Sequence, residues 1–551
     1  MRTSLFPFLF LIPFLGNAQS GPKQYWIQFS DKDNTPFELS EPLEFLSQRA
    51  LDRRSAQNIA LNTTDLPVDP AYVQAVLNEG ATYLTHSKWF NSVTVHVPDS
   101  SVLNAILNLP FVLQDEPVGK TDKQNDGFDK LKIDDKSLSA GADTETDYGA
   151  GFNQIDMLAG LNLHDAGYKG QGMLIAVLDA GFTNVDVNPA FDSLRNDNRI
   201  LGTWDFVARN DSVYNDNSHG AMVLSTMASN WSGFMIGTAP NASYILLRTE
   251  NADSEYPIEE DYWVAGAEYA DSAGADIINS SLGYTTFQNS IYDHSYADMD
   301  GNTTRGAIGG DMAAAKGILV VNSAGNSGDN SWQYIGTPAD GDSVLAIGAV
   351  TAEGLIANFS SIGPSADGDI KPNVCAQGQQ AAVVNTGGDV ILGNGTSFSG
   401  PILAGMAACL WQANPHMTNM EIFHAIEQSA HLFQEPNGYF GFGIPNFAMA
   451  NLILSGYSPS DLDQCQLFPA YPNPFTDQLT GAFYSSVKQR IKIQLVGGTG
   501  QPIDAIESEI SKTSAMKFQF NGLQKLAEGV YYLQVLTDSD RFSSKVVKLR
   551  D

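Results

Sequence analysis

The sequence predicts an α/β protein with a mostly parallel sheet covered by helices on both faces, preceded by a small α+β unit and followed by a small β-sandwich. Between positions 148 and 457, continuous apolar stretches such as LIAVLD and ILVVNS alternate with helical stretches such as DYWVAGAEYADSAGA. Apolar runs of this kind indicate strands that are buried on both faces. Ligands of such sheets bind outside the carboxyl ends of the strands, so functional residues should follow the strands directly.

Two smaller units flank this central unit. Residues 19–118 contain the strand-like stretches QYWIQF and SVTVHV and a helix that we expect to start after Ser40. Residues 471–551 show short stretches with period-two alternation between turn residues, which is typical of a small sandwich. The polar stretches 119–147 and 458–470 are interpreted as exposed linkers, and the first should be accessible to proteases.

Composition excludes several classes of function. The chain has 62 Asp+Glu against 30 Lys+Arg, and this excess of negative charge repels nucleic acid and anionic bilayers. Residues 1–18 combine an early arginine, an apolar run and small residues before an expected cut after Ala18, the pattern of a secretory signal peptide. No later stretch reaches the ~18 uninterrupted apolar residues of a transmembrane helix. We therefore expect an exported protein without a transmembrane segment and without a nucleic-acid partner.

The three cysteines, Cys375, Cys409 and Cys465, are widely spaced along the chain. This spacing indicates neither a zinc site nor a disulfide scaffold. Cys409 lies in an apolar helical stretch and is interpreted as a core residue. The sequence leaves open whether one disulfide forms.

Three polar side chains stand where a parallel sheet would place an active site. Asp179 ends the strand LIAVLD, His219 opens an apolar helix within NSHGAMV, and Ser397 precedes the helix that runs through PILAGMAACLWQA. Each has a simpler interpretation by itself: Asp179 as a turn cap, His219 as a core or capping residue, and Ser397 or Ser399 as a helix N-cap. No single one of them identifies a site.

As a set, these residues supply complementary chemical roles. A serine hydroxyl needs a base before it can attack a carbonyl, and the base needs an orienting carboxylate. Asn326, which follows the strand in VVNSAGN, adds an amide that would donate to an oxyanion. Ser397 would lie at a helix N-terminus, where backbone N–H groups favour developing negative charge.

Five motifs in this order resemble those of the subtilisin-like serine peptidases, the subtilases. They are DAG at 179–181, SHGAMV at 218–223, SSLG at 280–283, SAGN at 323–326 and GTSFSGP at 395–401. The resemblance implies a subtilisin-like fold for residues 148–457. It also implies a secreted serine endopeptidase that hydrolyses peptide bonds in proteins through an acyl-enzyme intermediate.

The resemblance assigns roles to individual residues. Asp179 would orient His219, which would act first as general base and then as general acid, and Ser397 would be the nucleophile. Asn326 and the backbone N–H of Ser397 would form the oxyanion hole. Ser281, Leu282 and Gly283 would pair with an extended peptide, and together with Ser323, Ala324 and Gly325 they would wall the main specificity pocket.

The sequence departs from the family's pattern in two places. Asn373 and Gln377, within KPNVCAQG, stand where many subtilases have Asp and Pro, which leaves the shape of this loop open. An insertion contains DMDGN, with Asp298, Asp300 and Asn302 at alternate positions, a partial calcium-loop pattern without its terminal Glu. No cofactor is required for the chemistry, structural calcium is left open, and no metal site is assigned.

The flanking units resemble known modules too. Residues 19–118 resemble a subtilase propeptide, which implies that this unit inhibits the enzyme within the same chain until it is cut within 119–147. Residues 471–551 resemble the C-terminal sorting domain of the type IX secretion system. That implies the type IX machinery as a partner and a secreted or cell-surface location. A generic sandwich that binds substrate or glycan is the alternative for this tail.

Two other functions compete with this interpretation. A catalytically silent surface protein could keep the subtilase fold and act by binding or adhesion, but a lost triad or oxyanion residue would then be expected, and none is lost. An α/β-hydrolase would need Gly at the position of Ser399, and no Asp follows Ser397 until Asp461, which lies beyond the last histidine, His431.

Overall fold

The computed structural model describes residues 23–120, 131, 136–137, 147–457, 465–510 and 514–550. The expected signal peptide, most of the 119–147 linker and the first part of the 458–470 linker lie outside these residues. Among the described helices, none combines the length and apolar character needed to cross a membrane.

The N-terminal unit is an antiparallel sheet in the order β2-β3-β1-β4 with three helices. Its elements are β1 (Gln24–Phe29), α1 (Gln48–Ala56), α2 (Pro70–Asn78), β2 (Thr82–Ser87), β3 (Ser92–His96), α3 (Ser100–Leu107) and β4 (Val112–Gly119). Helix α1 begins at Gln48 and not after Ser40, because the hydroxyl of Ser47 caps it by accepting from the N–H of Ala50.

The central unit contains seven strands that form one parallel sheet, in the order β14-β13-β12-β11-β6-β10-β7. Including the short β5 that precedes it, the elements are β5 (Lys136–Ser137), α4 (Phe152–Asp156), α5 (Leu161–Asp165), β6 (Leu174–Asp179), α6 (Asp192–Asn196), β7 (Ile200–Asp205), α7 (His219–Ala228), β8 (Asn230–Trp231), β9 (Met235–Ile236), β10 (Ser243–Arg248), α8 (Ile258–Ala273), β11 (Ile277–Ser280), α9 (Arg305–Ala315), β12 (Leu319–Ser323), β13 (Val344–Val350), β14 (Val374–Gln377), β15 (Ala381–Val384), β16 (Val390–Gly393), α10 (Thr396–Ala413), α11 (Asn419–Gln428) and α12 (Phe447–Leu454). The predicted mostly parallel sheet is therefore confirmed.

Two apolar cores cover the two faces of this sheet. Side chains alternate along a strand, so Ile175 and Val177 of β6 pack with α7 and α10, whereas Leu174, Ala176 and Leu178 pack with α8. Strand β6 lies between β10 and β11 and is buried along its whole length. This central position brings the end of β6, at Asp179, to the middle of the sheet's carboxyl edge.

The C-terminal unit consists of two antiparallel sheets, β17-β18-β21 and β20-β19-β22-β23. Its strands are β17 (Gln466–Leu467), β18 (Leu479–Ser485), β19 (Gln489–Gly497), β20 (Pro502–Ile510), β21 (Ser514–Phe520), β22 (Gly529–Leu536) and β23 (Arg541–Lys548). Phe475, Phe483 and Leu533 belong to its own core. A second apolar cluster, which includes Leu452 of α12 and Phe468, joins this unit to the central one.

Candidate active site

Asp179 and His219 form a hydrogen-bonded pair at the carboxyl edge of the sheet. Asp179 is the last residue of β6 and His219 is the first residue of α7, and both are buried. His219 Nδ1 lies 2.7 Å from Asp179 Oδ1. A carboxylate only accepts hydrogen bonds, so Nδ1 is the donor, and a neutral imidazole held in this way keeps its lone pair on Nε2. This is the state that a general base requires.

Gly220, which follows His219, allows the start of α7 to approach the end of β6 closely. A Cβ on Gly220 would lie 2.5 Å from the backbone oxygen of Gly181, 2.9 Å from Asp179 Cβ and 2.9 Å from the ring of Phe182. Any larger residue would push α7 away from β6. The glycine after His219 is therefore required by the contact between helix and strand.

Ser397 is the second residue of α10 and is 7% exposed. The start of α10 is attached to β12, because Ser323 Oγ donates to the backbone oxygen of Thr396 (2.8 Å). Helix α7 packs against α10 on the same face of the sheet. His219 and Ser397 thus open two neighbouring helices whose first turns both contact strand ends.

The side-chain amide of Asn326 is oriented toward Ser397. Asn326 Oδ1 accepts from the N–H (2.8 Å) and from the hydroxyl (2.9 Å) of Thr396, which fixes which end of the amide is nitrogen. A Cβ built on Gly395, whose φ is +153°, would lie 3.6 Å from both Asn326 Nδ2 and the backbone nitrogen of Ser397. One point in space therefore lies close to both proposed oxyanion donors, and Gly395 leaves that point free.

A cavity of about 500 Å³ joins these groups to the proposed substrate segments. Ser397 and Asn326 line it, and the two sequence-predicted segments lie on its walls: Ser281, Leu282 and Gly283, and Ser323, Ala324 and Gly325. Ser281 Oγ donates to the backbone oxygen of Ser397 (3.1 Å), which attaches the first segment to the serine. The predicted site residues are therefore grouped around Ser397, and Asp179 and His219 pair at the same edge of the sheet.

Asn373 and Gln377, which form the first departure from the family's pattern, have specific partners. Asn373 Oδ1 accepts from the N–H of Ala346 (2.8 Å), and its Nδ2 donates to Glu427 (2.9 Å). An Asp at this position would face the Glu427 carboxylate, so the amide suits this neighbour. Gln377 accepts from Asn153 Nδ2 (2.8 Å). The segment between them still forms β14, the edge strand of the sheet.

The side chains of the partial calcium loop cap their own turn. Asp298 accepts from Ser295, and Asp300 accepts from the N–H of Asn302 (3.0 Å) and from Thr303 Oγ1 (3.0 Å). In the described part of the chain, two further clusters each bring three carboxylates together, with one oxygen atom of each residue within 4.8 Å of the others. They are Glu250, Glu255 and Glu259, and the exposed Asp342, Asp367 and Asp369.

The cavity also contains residues that no motif marked. Glu250, Glu255, Phe287 and Tyr334 lie on its walls. Glu250 follows β10 by two residues, so the rule that functional residues follow strand ends would have found it. The others lie on loops without a motif, and only the folded chain brings them to the cavity.

A parallel α/β sheet with a carboxylate–imidazole pair and a serine at its carboxyl edge is typical of serine hydrolases. The chain belongs to the subtilase family of serine peptidases, whose profile, described as Peptidase S8, Subtilase family, matches residues 170–443. The resemblance found in the motifs is thereby confirmed.

Curated subtilisins are among the similar proteins. Subtilisin NAT of Bacillus subtilis subsp. natto is 32% identical over 303 residues, covering 54% of this chain and 70% of that protein. Subtilisin of Bacillus pumilus is 31% identical over 303 residues, covering 54% of this chain and 97% of that protein. The crystal structure of MycP1 from the ESX-1 type VII secretion system has a TM-score of 0.45 and 21% identity, covering 58% of this chain and 90% of that one. Such a distant likeness adds nothing to the assignment.

Both flanking units match families of their own. Residues 24–130 match the Peptidase S8 propeptide domain of Bacteroidota, and residues 469–549 match the secretion system C-terminal sorting domain. The chain is therefore a subtilase with a propeptide, and its sorting domain indicates export by the type IX secretion system.

Proposed function

We propose that this subtilase is an active secreted serine endopeptidase that is made as a self-processing zymogen. The observation that carries the proposal is the arrangement around Ser397: Asn326 Nδ2 and the backbone nitrogen of Ser397 both lie 3.6 Å from the position that a Cβ on Gly395 would take, Asn326 and Ser397 line the same cavity, and the Asp179–His219 pair lies at the same edge of the sheet. Substrates would be extended peptide segments of proteins, bound along the segments that begin at Ser281 and Ser323.

In the proposed reaction, His219 Nε2 takes the proton of Ser397 Oγ as this oxygen attacks the carbonyl carbon of the scissile bond. The carbonyl oxygen becomes an oxyanion that Asn326 Nδ2 and the N–H of Ser397 stabilise. His219 then donates its proton to the leaving amine, which breaks the C–N bond and leaves an acyl-enzyme. Water, activated by His219, hydrolyses the ester and regenerates Ser397. Asp179 stabilises the imidazolium that forms in both halves of the reaction.

The proposed chemistry needs no cofactor, since the chain itself supplies nucleophile, base and oxyanion donors. Structural calcium stays a prediction from the family resemblance. A rise in melting temperature on adding calcium would support it without changing the chemistry.

The zymogen part of the proposal is supported by Leu131. This residue follows the N-terminal unit in the chain and lies on the wall of the cavity that holds Ser397. We propose that the chain enters its own active site near this residue, that the N-terminal unit inhibits the enzyme in this state, and that cleavage within 119–147 activates it.

A fluorophosphonate probe tests the nucleophile. Wild type should be labelled at Ser397, whereas Ser397→Ala should not be labelled and should keep the mass of the unprocessed chain. Ser399→Ala is the matched control, because Ser399 Oγ donates to the backbone oxygen of Thr396 (3.1 Å) within the first turn of α10. This control should still be labelled and processed. Absence of labelling in fully processed wild type would contradict the proposal and favour the silent surface protein.

A further inference from the structure

The cavity beside Ser397 has an acidic wall. Two of its described lining residues are charged, and both are glutamates, Glu250 and Glu255. No lysine, arginine or histidine lines the described part of the cavity. Carboxylate oxygens of Glu250, Glu255 and Glu259 lie within 4.8 Å of one another. Three carboxylates so close together make this side of the cavity strongly attractive to a cation.

The fold holds these glutamates firmly in place. Glu250 is 1% exposed, and its Oε2 accepts from the hydroxyl of Tyr284 (2.9 Å). Burial, followed by the charges of Glu250 and Glu259, raises the pKa of Tyr284, so its hydroxyl remains a donor. The backbone oxygen of Glu255 accepts from the N–H of Gln288 (3.0 Å), which joins the acidic loop to the opposite wall. The carboxylate of Glu250 is therefore held in place by Tyr284, and the backbone of Glu255 is attached to the segment that contains Gln288.

The chain's own segment that reaches this cavity indicates what the wall accepts. Leu131 lines the cavity and packs on the core cluster that contains Leu282 and Phe287. In the sequence, Leu131 stands between Lys130 and Lys132. Leu131, which has a lysine on each side in the sequence, thus lies on the wall of a cleft that offers both apolar surface and negative charge.

We propose that Glu250 and Glu255 make the cleft select peptide substrates that carry lysine or arginine next to an apolar residue close to the scissile bond. This inference rests on the proposed function, because it concerns the substrates of the same Ser397 site. The attraction is electrostatic, acts in a partly enclosed cavity and raises both encounter rate and binding of cationic peptides. The strong net negative charge of the whole chain also attracts cationic peptides, but it does not direct the lysine or arginine side chain to a particular place in the cleft.

The test compares two fluorogenic peptides that are identical except at one position next to a leucine, which is lysine in one peptide and norleucine in the other. Norleucine keeps most of the aliphatic chain and removes the charge. Protein made from the full-length gene and purified in active form should cleave the lysine peptide with a kcat/KM about tenfold higher than the norleucine peptide. The ratio should fall as salt is raised from about 0.05 M to about 0.5 M, because screening weakens charge attraction but not apolar packing.

Glu250→Gln, Glu255→Gln and the double variant should reduce this ratio, the double variant to about twofold or less. Glutamine keeps an oxygen that accepts from Tyr284, and fluorophosphonate labelling gives the concentration of active enzyme for each variant. Glu435→Gln is the matched control, since this exposed glutamate lies outside the residues that line the cavity and its replacement removes one negative charge, as each of the single variants does. The control should keep the wild-type ratio.

The outcomes separate the two proposals. Labelling of Ser397 and cleavage of both peptides at equal rates would overturn the acidic-wall inference and leave the proposed function standing. No labelling and no cleavage would overturn both. A lysine preference that disappears on adding calcium and returns with EDTA would support the inference, because calcium bound by these carboxylates would cancel the negative charge that attracts lysine. Loss of the preference in the glutamine variants alone would support it.

Discussion

Lys371 is a buried cation that the fold surrounds with oxygen atoms. Its Nζ donates to the backbone oxygens of Gly341 (2.7 Å) and Val344 (2.8 Å), and the residue is 1% exposed. Burial lowers the pKa of Lys371, and the negative charge of Asp340 opposes this shift. A buried ammonium without such partners would be costly. Lys371 therefore attaches the turn before β13 to the segment that leads into β14.

Asp340, beside this lysine, should give the stability of the protein a pH dependence. Burial raises the pKa of Asp340 to about 6, from an ordinary value of 3.8. Asp340 Oδ2 accepts from the N–H of Gly301 (3.1 Å), and Oδ1 has no hydrogen-bond partner among the described residues. The folded state holds the proton more tightly, so the stabilising contribution is complete below about pH 4 and is lost as pH rises through about 6.

Asp340→Asn should remove this dependence, since the amide does not titrate. The free energy of unfolding of the variant relative to wild type should increase by about 1–2 kcal/mol between about pH 5 and about pH 8. Urea denaturation in the processing-deficient Ser397→Ala background measures it. The exposed Asp369→Asn serves as control and should follow wild type at both pH values. Parallel curves for Asp340→Asn and wild type would contradict the prediction.

At the scale of elements, the site depends on how the first turn of α10 meets the segment after β12. Thr396 N–H and Oγ1 both donate to Asn326 Oδ1, and Thr396 Oγ1 also accepts from the N–H of Gly325 (3.2 Å). Helix and loop thus share a network of hydrogen bonds whose free end is Asn326 Nδ2. The network positions the proposed oxyanion donor without contacting substrate.

Thr396→Val removes the hydroxyl and keeps the shape of the side chain. We expect kcat to fall by about tenfold with little change in KM, because the backbone N–H of Thr396 still holds Asn326 in part and ground-state binding does not involve the oxyanion. Steady-state kinetics on a peptide substrate separates the two parameters. Thr418→Val is a matched control, since Thr418 caps α11 by accepting from the N–H of Glu421. Its loss should lower stability and leave kcat unchanged, and an equal fall in kcat for both variants would refute the positioning role.

At the scale of the whole molecule, the N-terminal unit docks on α8 through buried charges. Asp271 Oδ1 of α8 lies 2.6 Å from Arg53 Nη2 and 2.7 Å from Arg54 Nη2, and Asp271 Oδ2 lies 3.2 Å from Lys88 Nζ. Glu268, one turn earlier, accepts from the N–H groups that follow Ser87. Removal of the N-terminal unit would expose all of these groups to water. The charged surface therefore suits an inhibitor that binds tightly and is later discarded.

Asp271→Ala should destabilise the full chain by about 3–5 kcal/mol, because two arginines and a lysine would lose the anion that they surround. Urea denaturation of the Ser397→Ala chain, with and without the second substitution, measures this. Asp192→Ala breaks the exposed pair with Arg195 and should cost less than about 1 kcal/mol. Equal effects of the two substitutions would contradict a special role of Asp271 in docking.

Much of the architecture was predictable because its signals are local. The apolar runs at β6 and β12 and the helical stretch at α8 indicated the parallel sheet, and the candidate residues lie at or shortly after the end of a strand or in the first turn of a helix. The helix start after Ser40 was misplaced, because sequence alone does not show which of two nearby serines caps a helix. The DMDGN segment has only a partial calcium-loop pattern, and its side chains form hydrogen bonds within their own turn.

By itself, the sequence determined the family, the order of the units and the residue types of the proposed triad, since these depend on contiguous motifs and on the period of apolar residues. Only the tertiary structure decided which distant residues share the cavity of Ser397. Glu250, Glu255 and Leu131 meet there, and Asp340 and Lys371 are buried side by side, through contacts between segments far apart in the chain. Burial and the distance between charges arise from packing and have no local sequence signal, so they become visible only in the folded molecule.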